Sequence, residues 1–195
     1  YWGGTPSPVG KDQAIEIGIK HAMTREAEGY LTWFHHRVHE PYNLGMDEYD
    51  DARQRGVVLG GSYNWQSMIR ANASYTYTDA RWSGGLYGNR KVLMVPSRRC
   101  EAGVEYLDPG QRFDCGLFLH YAGRRPLDDE NTRWLAPHIE WDIEGNFYWQ
   151  TFTVYAQVRN LFDHEYDEYG YLAGTTEMLA PHHDRQFRAG VKYQF

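Results

Sequence analysis

The sequence is short of several things at once, and each shortage closes off a class of protein. It holds only two cysteines, Cys100 and Cys115, too few for a disulfide framework. No run of ~18 apolar residues exists, which excludes a membrane-spanning helix. Positive charge is in deficit: 20 Lys and Arg stand against 26 Asp and Glu, giving a formal net charge of -6. That balance argues against a nucleic-acid partner, because phosphate binding needs a basic surface. Residues 1–11 have no basic start and no apolar core, so they are not a secretory leader. The expectation is a mature exported chain, or one that begins inside something larger. No nucleophile–base pair or phosphate-cradling loop stands out. Glu140, Asp142 and Glu144 recur at a spacing of two, which lines a strand face and does not make an acid/base pair. No enzymatic activity is expected.

What the chain does have is aromatic residues and alternation. Aromatics make up 16%, with 16 tyrosines and 7 tryptophans, in a chain of 195 residues whose mean hydropathy is polar. Alternation hides apolar residues from a window average, and it runs through most of the chain. Ile15, Ile17 and Ile19 interleave with Glu16, Gly18 and Lys20. Ile69, Ala71, Ala73, Tyr75 and Tyr77 oppose Arg70, Asn72, Ser74 and Thr76. Further on, Cys100, Ala102, Val104 and Tyr106, then Phe113, Cys115, Leu117, Leu119 and Tyr121, form apolar faces. Ile139, Trp141, Ile143, Phe147 and Trp149 do the same, as do Phe152, Val154, Ala156 and Val158. A period of two predicts strands, each with a greasy side and a wet side. About nine strands of ~9–11 residues result, the length a tilted strand needs to cross hydrocarbon. Short turns near 24–28, 64–66, 108–110 and 150 alternate with long loops at 41–52, 79–97, 122–133 and 163–184. In the turn at Asp108, Pro109 and Gly110, glycine is expected to take the positive φ. Residues 1–11, rich in Gly and Pro, read as a loop.

The chain closes on its clearest stretch. Residues 160–166 read Asn-Leu-Phe-Asp-His-Glu-Tyr, and after a polar, Gly-containing excursion comes Arg185-Gln-Phe-Arg-Ala-Gly-Val-Lys-Tyr-Gln-Phe195. Two separated motifs and a final aromatic, in this order, resemble the C-terminal signature of TonB-dependent outer-membrane receptors. The lead-in at residues 52–57, Ala-Arg-Gln-Arg-Gly-Val, and the run Ser-Tyr-Thr-Tyr-Thr-Asp-Ala at 74–80 are similar to the same family. Val58 stands where that family usually has an acidic residue. The resemblance implies an all-β fold: a transmembrane antiparallel up-and-down β-barrel, with residues 1–195 as roughly the nine C-terminal strands of a 22-stranded whole. The missing strands and an N-terminal plug would come from a second chain or from residues absent here. An odd set of strands cannot seal itself as the usual even barrel, and an open edge in lipid leaves costly unpaired backbone groups.

Function then follows as an expectation from the resemblance. Such receptors, in the bacterial outer membrane, take up a scarce nutrient such as an iron-siderophore, haem or cobalamin, driven by the TonB complex. A passive channel and a structural or surface-interaction barrel are the alternatives. Tyr166, Tyr169, Tyr171, His182, His183 and Arg185, in the last outer loop, are the candidate ligand contacts. Adjacent His182 and His183 could serve as axial groups for haem, but residues 1–11 do not match the loop motif of the haem-receptor branch. His35 and His39 share a strand face from which His36 points away, poor spacing for one metal site. Arg70, Arg112, Asp114, Glu140, Asp142, Glu144, Arg159, Arg188 and Lys192 are expected to face a wide lumen and its plug, since each basic residue turned to lipid at the midplane would cost ~2–4 kcal/mol. Val191, Tyr193 and Phe195 resemble the terminal signal read by the barrel assembly machinery. Outer-membrane lipid and lipopolysaccharide would surround the barrel. No cofactor is expected; the ligand itself would be a metal chelate or similar. Cys100 and Cys115 fall on the lipid-facing set, roughly opposite one another across the turn. Two small apolar side chains are expected there, with a cross-strand disulfide as the alternative.

Overall fold

The computed structural model describes residues 12–38 and 51–195 of the chain. The reading of residues 1–11 as a loop, most of the loop at 41–52, and His39 lie outside the described residues. Strands β1 (Asp12–Ala22), β2 (Ala27–Val38), β3 (Ala52–Trp65), β4 (Ile69–Trp82), β5 (Arg98–Leu107) and β6 (Phe113–Ala122) follow one another as hairpins. Two short pieces, β7 (Arg125–Pro126) and β8 (Trp134–Leu135), then pair with each other. Beyond them come β9 (His138–Trp149), β10 (Phe152–Arg159), β11 (Asp167–Ala173), β12 (Thr176–Pro181) and β13 (Gln186–Tyr193). The main sheet has nine strands in the order β1-β2-β3-β4-β5-β6-β9-β10-β13, every neighbouring pair antiparallel. No helix among the described residues is long and apolar enough to cross a membrane.

Register carries the alternation from strand to strand. Ile17 stands opposite Trp33, Trp33 opposite Val57, and Val57 opposite Tyr77. At the other edge, Val154 faces Phe147 on one side and Val191 on the other. One surface of the sheet is therefore continuously apolar and uncovered, with Ile17 at 67% exposure and Val191 at 63%. The opposite surface is polar and internally paired. Arg70 bonds Glu105 at 3.1 Å, Asn146 and Tyr148 both donate to Asp114, and Gln157 donates to Glu144 at 3.4 Å. Aromatic rings on this inner wall, Tyr30 and Tyr155 among them, sit so close over glycines that no Cβ would fit beneath. A Cβ at Gly60 would stand 2.5 Å from the Tyr30 ring, and one at Gly190 2.5 Å from the Tyr155 hydroxyl.

Packing of the ordinary kind is found, among the described residues, at one end of the sheet and in the connections above it. The buried hydrophobic residues among those described are Ala80, Trp82, Leu127 and Leu135, all at 4% exposure or less. They sit at the top of β4 and in the β6–β9 connection, at the long-loop end of the molecule. The strands themselves hold together through their hydrogen-bond ladders and face lipid or lumen.

Three expectations need correction. The turn after β5 places its positive φ on Gln111 (φ 53), not Gly110. Gln111 N–H donates to the Asp108 carbonyl at 2.8 Å, and the chain needs its left-handed residue one step later, where the turn rejoins the strand as a bulge. Cys100 lies opposite Tyr121 and Cys115 opposite Tyr106. Six positions along β5 separate the two pairings, about 20 Å, so the cysteines are not across from one another as expected; both are free thiols, and the alternative of a disulfide is ruled out. The stretch at 163–184 is not a plain loop: β11 and β12 form a hairpin from Tyr169 to Ala180 and round to Ala173 and Thr176, turned at Gly174 (φ 65). Its polar, glycine-broken composition hides a period of two that is only a few residues long.

Candidate functional site

The chain leaves β10 at Asn160, whose φ of 49 puts it in the left-handed region, a conformation Asn tolerates better than most. Its side chain is almost wholly buried, at 2% exposure. Asn160 Oδ1 accepts the His164 N–H at 2.9 Å, while Nδ2 donates to the carbonyls of His164 (3.1 Å) and His183 (3.5 Å). Its own N–H donates to Asp142 on β9 at 3.0 Å. Asp163 completes the clasp by accepting the Arg185 N–H at 2.8 Å and its guanidinium at 3.4 Å. Those contacts, the backbone N–H of Arg185 first, hold the Asp163 carboxyl below the usual carboxylate range. The first and last residues of the excursion are thus tied to each other and to the inner wall, and the hairpin stands on that base.

Above the base, Tyr166 is sandwiched between two imidazoles. His138 stacks on one side at 3.9 Å between centroids and His182 on the other at 4.5 Å, each within 11° of parallel. The Tyr166 hydroxyl donates to Glu140 at 2.5 Å, and burial followed by that carboxylate pushes the phenol well above its ordinary pKa. His182 meets Glu140 through Nε2 at 3.1 Å and Glu168 through Nδ1 at 3.2 Å. A neutral imidazole donates through one nitrogen only, so both contacts are hydrogen bonds together only when the ring is protonated. Arg125, 8% exposed, donates to the Asp167 carbonyl at 2.9 Å and lies 3.4 Å from His138 Nδ1; burial lowers its pKa from the usual guanidinium value. Leu127 packs under Gly170 of the hairpin, and Arg133 reaches Glu177 at 2.9 Å. Two outer loops, at 123–137 and 160–185, are therefore one packed body over the inner wall of β9.

The structure divides the candidate ligand contacts into two groups. Tyr166, His182 and Arg185 are engaged in holding the hairpin down. Tyr169 (53% exposed) and Tyr171 (49%) instead share an open hairpin face with Met178, and His183 is exposed at the base, where its carbonyl accepts from Asn160. Among the wall residues, Glu140 and Asp142 serve the clasp, Arg70, Asp114 and Glu144 are paired within the sheet, and Arg159, Arg188 and Lys192 lie along β10 and β13. Lys192 sits 5.3 Å from the Tyr155 ring. Arg112 lies in the turn, bound to Asp108 at 3.1 Å, rather than along the wall. Val191, Tyr193 and Phe195 are on the lipid-facing side or beyond it, with Tyr193 against Phe152 at 5.1 Å. His138, Arg125 and Glu168 belong to the clasp and were missed from the sequence. His138 could have been found, since it shares a strand face with Glu140 two residues on. Among the described residues no group of three or more His, Cys, Asp and Glu side chains is arranged to hold a metal ion.

A nine-stranded antiparallel sheet with one apolar and one charged surface and long loops gathered at one end defines a segment of a membrane β-barrel. A family model described as TonB dependent receptor-like, beta-barrel matches residues 15–161, and the chain belongs to that family. Proteins of this family stand in the outer membrane of Gram-negative bacteria, and so does this one. Among solved structures, the ferric yersiniabactin uptake receptor FyuA from Yersinia pestis superposes over 95% of this chain and 30% of its own, with TM-score 0.82 and 17% identity. The ferric citrate transporter FecA, unliganded, matches over 90% of this chain and 30% of its own (TM-score 0.75, 15% identity). The copper transporter OprC matches over 95% and 31% (TM-score 0.73, 20% identity). The chain thus spans about a third of the length of these structures. A search of curated protein sequences found no match.

Proposed function

We propose that this chain forms the C-terminal part of a receptor that binds a scarce metal chelate, or a nutrient of similar bulk, at its outer mouth and admits it with energy relayed by TonB. The other strands and a plug complete the barrel and occupy its lumen. The observation that carries this reading is the open nine-stranded sheet with a charged inner wall, in a chain of the TonB-dependent family. A wall of ions suits a wide lumen that holds water or a hydrophilic plug; a small barrel would fill with side chains instead. Relatives described as ferric-chelate and copper transporters favour a metal-bearing ligand. The exposed face of Tyr169, Tyr171 and Met178 is the part of this chain that would meet it, with the clasp holding that face over the lumen.

The test is uptake by cells that carry the intact receptor. A panel of labelled ferric siderophores, haem and cobalamin is offered with and without a protonophore, and in a strain lacking TonB. One ligand of the panel should accumulate, and accumulation should cease in both controls. Substituting Tyr169 and Tyr171 by Ala should weaken its binding by about tenfold or more, the worth of one buried aromatic contact. Conductance that persists without TonB would instead mark a passive channel.

A further inference from the structure

A single nitrogen of Arg125 serves both outer loops. Its Nη2, on β7, donates to the Asp167 carbonyl of β11 at 2.9 Å and lies 3.4 Å from His138 Nδ1. A guanidinium stays charged and has no acceptor atom, so His138 Nδ1 is the acceptor there and the neutral ring carries its proton on Nε2. Arg125 is 8% exposed, and its Nε finds no hydrogen-bond partner among the described residues. His138 touches both loops at once, Arg125 through Nδ1 and Tyr166 through its ring face, stacked at 3.9 Å and within 5° of parallel. It is the first residue of β9, half-buried at the outer end of the strand.

A proton arriving on Nδ1 would set two N–H groups and two positive charges against each other. The carboxylates that could offset this are engaged elsewhere. Glu140, on the same strand, accepts from the Tyr166 hydroxyl at 2.5 Å and meets His182 Nε2 at 3.1 Å; Glu168, on β11, meets His182 Nδ1 at 3.2 Å. His164, 6.3 Å from the Tyr166 ring, and His182, on its other face, each add positive charge when protonated. Arg99 on β5 repels Arg125, and across the ladder β6 offers His138 only Ala122. Burial first, then the Arg125 charge, hold the His138 pKa down from the ordinary 6.5 to about 4. A base whose pKa is lowered in the closed arrangement favours that arrangement fully above its ordinary value. The contribution is lost as pH falls from about 6.5 toward 4.

We propose that His138 is an acid-operated release for the last outer hairpin. A proton taken from solvent onto Nδ1 occupies the lone pair that faces Arg125. The guanidinium swings away, Nη2 gives up the Asp167 carbonyl, and the hairpin of β11 and β12 parts from the loop at 123–137. A second tie between the two, Arg133 to Glu177, is exposed and contributes little on its own. His182 works in the opposite sense, since its protonated ring bridges Glu140 and Glu168. Asn160 and Asp163 still tether the ends of the excursion, so the release frees one side of the hairpin and leaves its base in place. The device concerns the loops alone and holds whatever the barrel transports.

The test is amide hydrogen exchange of the intact receptor in detergent at about pH 7 and about pH 5, on either side of the ordinary histidine value, with rates corrected for the intrinsic pH dependence of exchange. In wild type, protection of residues 124–136 and 164–172 should fall about tenfold over that interval, less than the full shift implies because His138 is partly exposed. Strands β3, β4 and β5 should not change. His138→Phe keeps a ring against Tyr166, and His138→Asn keeps an acceptor where Nδ1 stood; neither takes up a proton, and in both the step should vanish. Asp163→Asn should retain it, because that carboxyl titrates below the usual carboxylate range. Protection in wild type that changes by less than twofold between the two pH values would overturn the proposal without any variant. A step that survives in either His138 variant would also overturn it. So would a step lost in His182→Gln with protection at the higher pH intact, which would assign the response to His182.

Discussion

Replacing Asn160 by Ala should loosen the last outer hairpin without unseating the barrel. The substitution removes the acceptor of the His164 N–H and the donor to the His164 and His183 carbonyls. Each such bond is worth about 1 kcal/mol net, and more where the group left behind is buried. Ala must also hold φ near 49, a left-handed conformation that costs it about 1 kcal/mol. Together the change is about 2–4 kcal/mol, or about thirtyfold to several hundredfold in the equilibrium for local opening. Amide exchange of residues 164–183 reports that opening, and protease cleavage near Gly174 reports it independently. Asn160→Gly separates the causes, because it loses the side chain but keeps the backbone conformation; it should exchange about fivefold to tenfold more slowly than the alanine variant. Strands β4, β5 and β6 should exchange as in wild type. If residues 164–183 in Asn160→Ala exchange within twofold of wild type, a range smaller than the worth of one hydrogen bond, the clasp is not what holds the hairpin.

Lowering the pH should open the same base through Asp163. Its folded-state pKa is depressed, so its contribution is present above the ordinary carboxylate value and is lost as pH falls through the lowered one; exchange at 182–185 should rise below that range in wild type and show no such step in Asp163→Asn. Mild oxidation should leave Cys100 and Cys115 as separate thiols by alkylation and peptide mapping, whereas Tyr121→Cys, opposite Cys100, should yield a cross-linked peptide. A lysine at Ile17 should cost about 2–4 kcal/mol of folding stability in lipid vesicles if it lies near the midplane, measured by urea titration of tryptophan fluorescence. Lysine at Gly18, on the other side of the strand, would meet Thr32 Oγ1 at 2.8 Å but no hydrocarbon, and should cost less.

The sheet was legible because its signal is long and repeated. Ile15, Ile17 and Ile19, or Phe113 through Tyr121, give several consecutive votes for one face, and every neighbouring strand must agree in register. The hairpin of β11 and β12 gave no such signal. It has few positions, Gly170 and Gly174 interrupt it, and its inward side packs on Leu127 of another loop, a contact no local pattern encodes. The relative placement of the two cysteines was misread for a related reason. Parity told which side each faces, but the stagger of β5 on β6 depends on where the turn spends its extra residue, and that residue is Gln111. In the candidate site, Asn160 and Arg185 were flagged by motif, yet the partner that gives Arg185 its position, Asp163, lies twenty-two residues earlier. His138 and Arg125 come from two different elements, and only the folding of one outer loop against another brings them to Tyr166.

The burial of Trp82, Leu127 and Leu135 has a consequence for how such a protein comes apart. Its mouth coheres as a small water-soluble protein does, by excluding solvent from side chains, whereas its wall coheres through backbone pairing inside oil. Urea should attack the first and a harsh surfactant the second. The mouth can therefore be rebuilt by mutation while the portion that stays in the membrane scarcely notices.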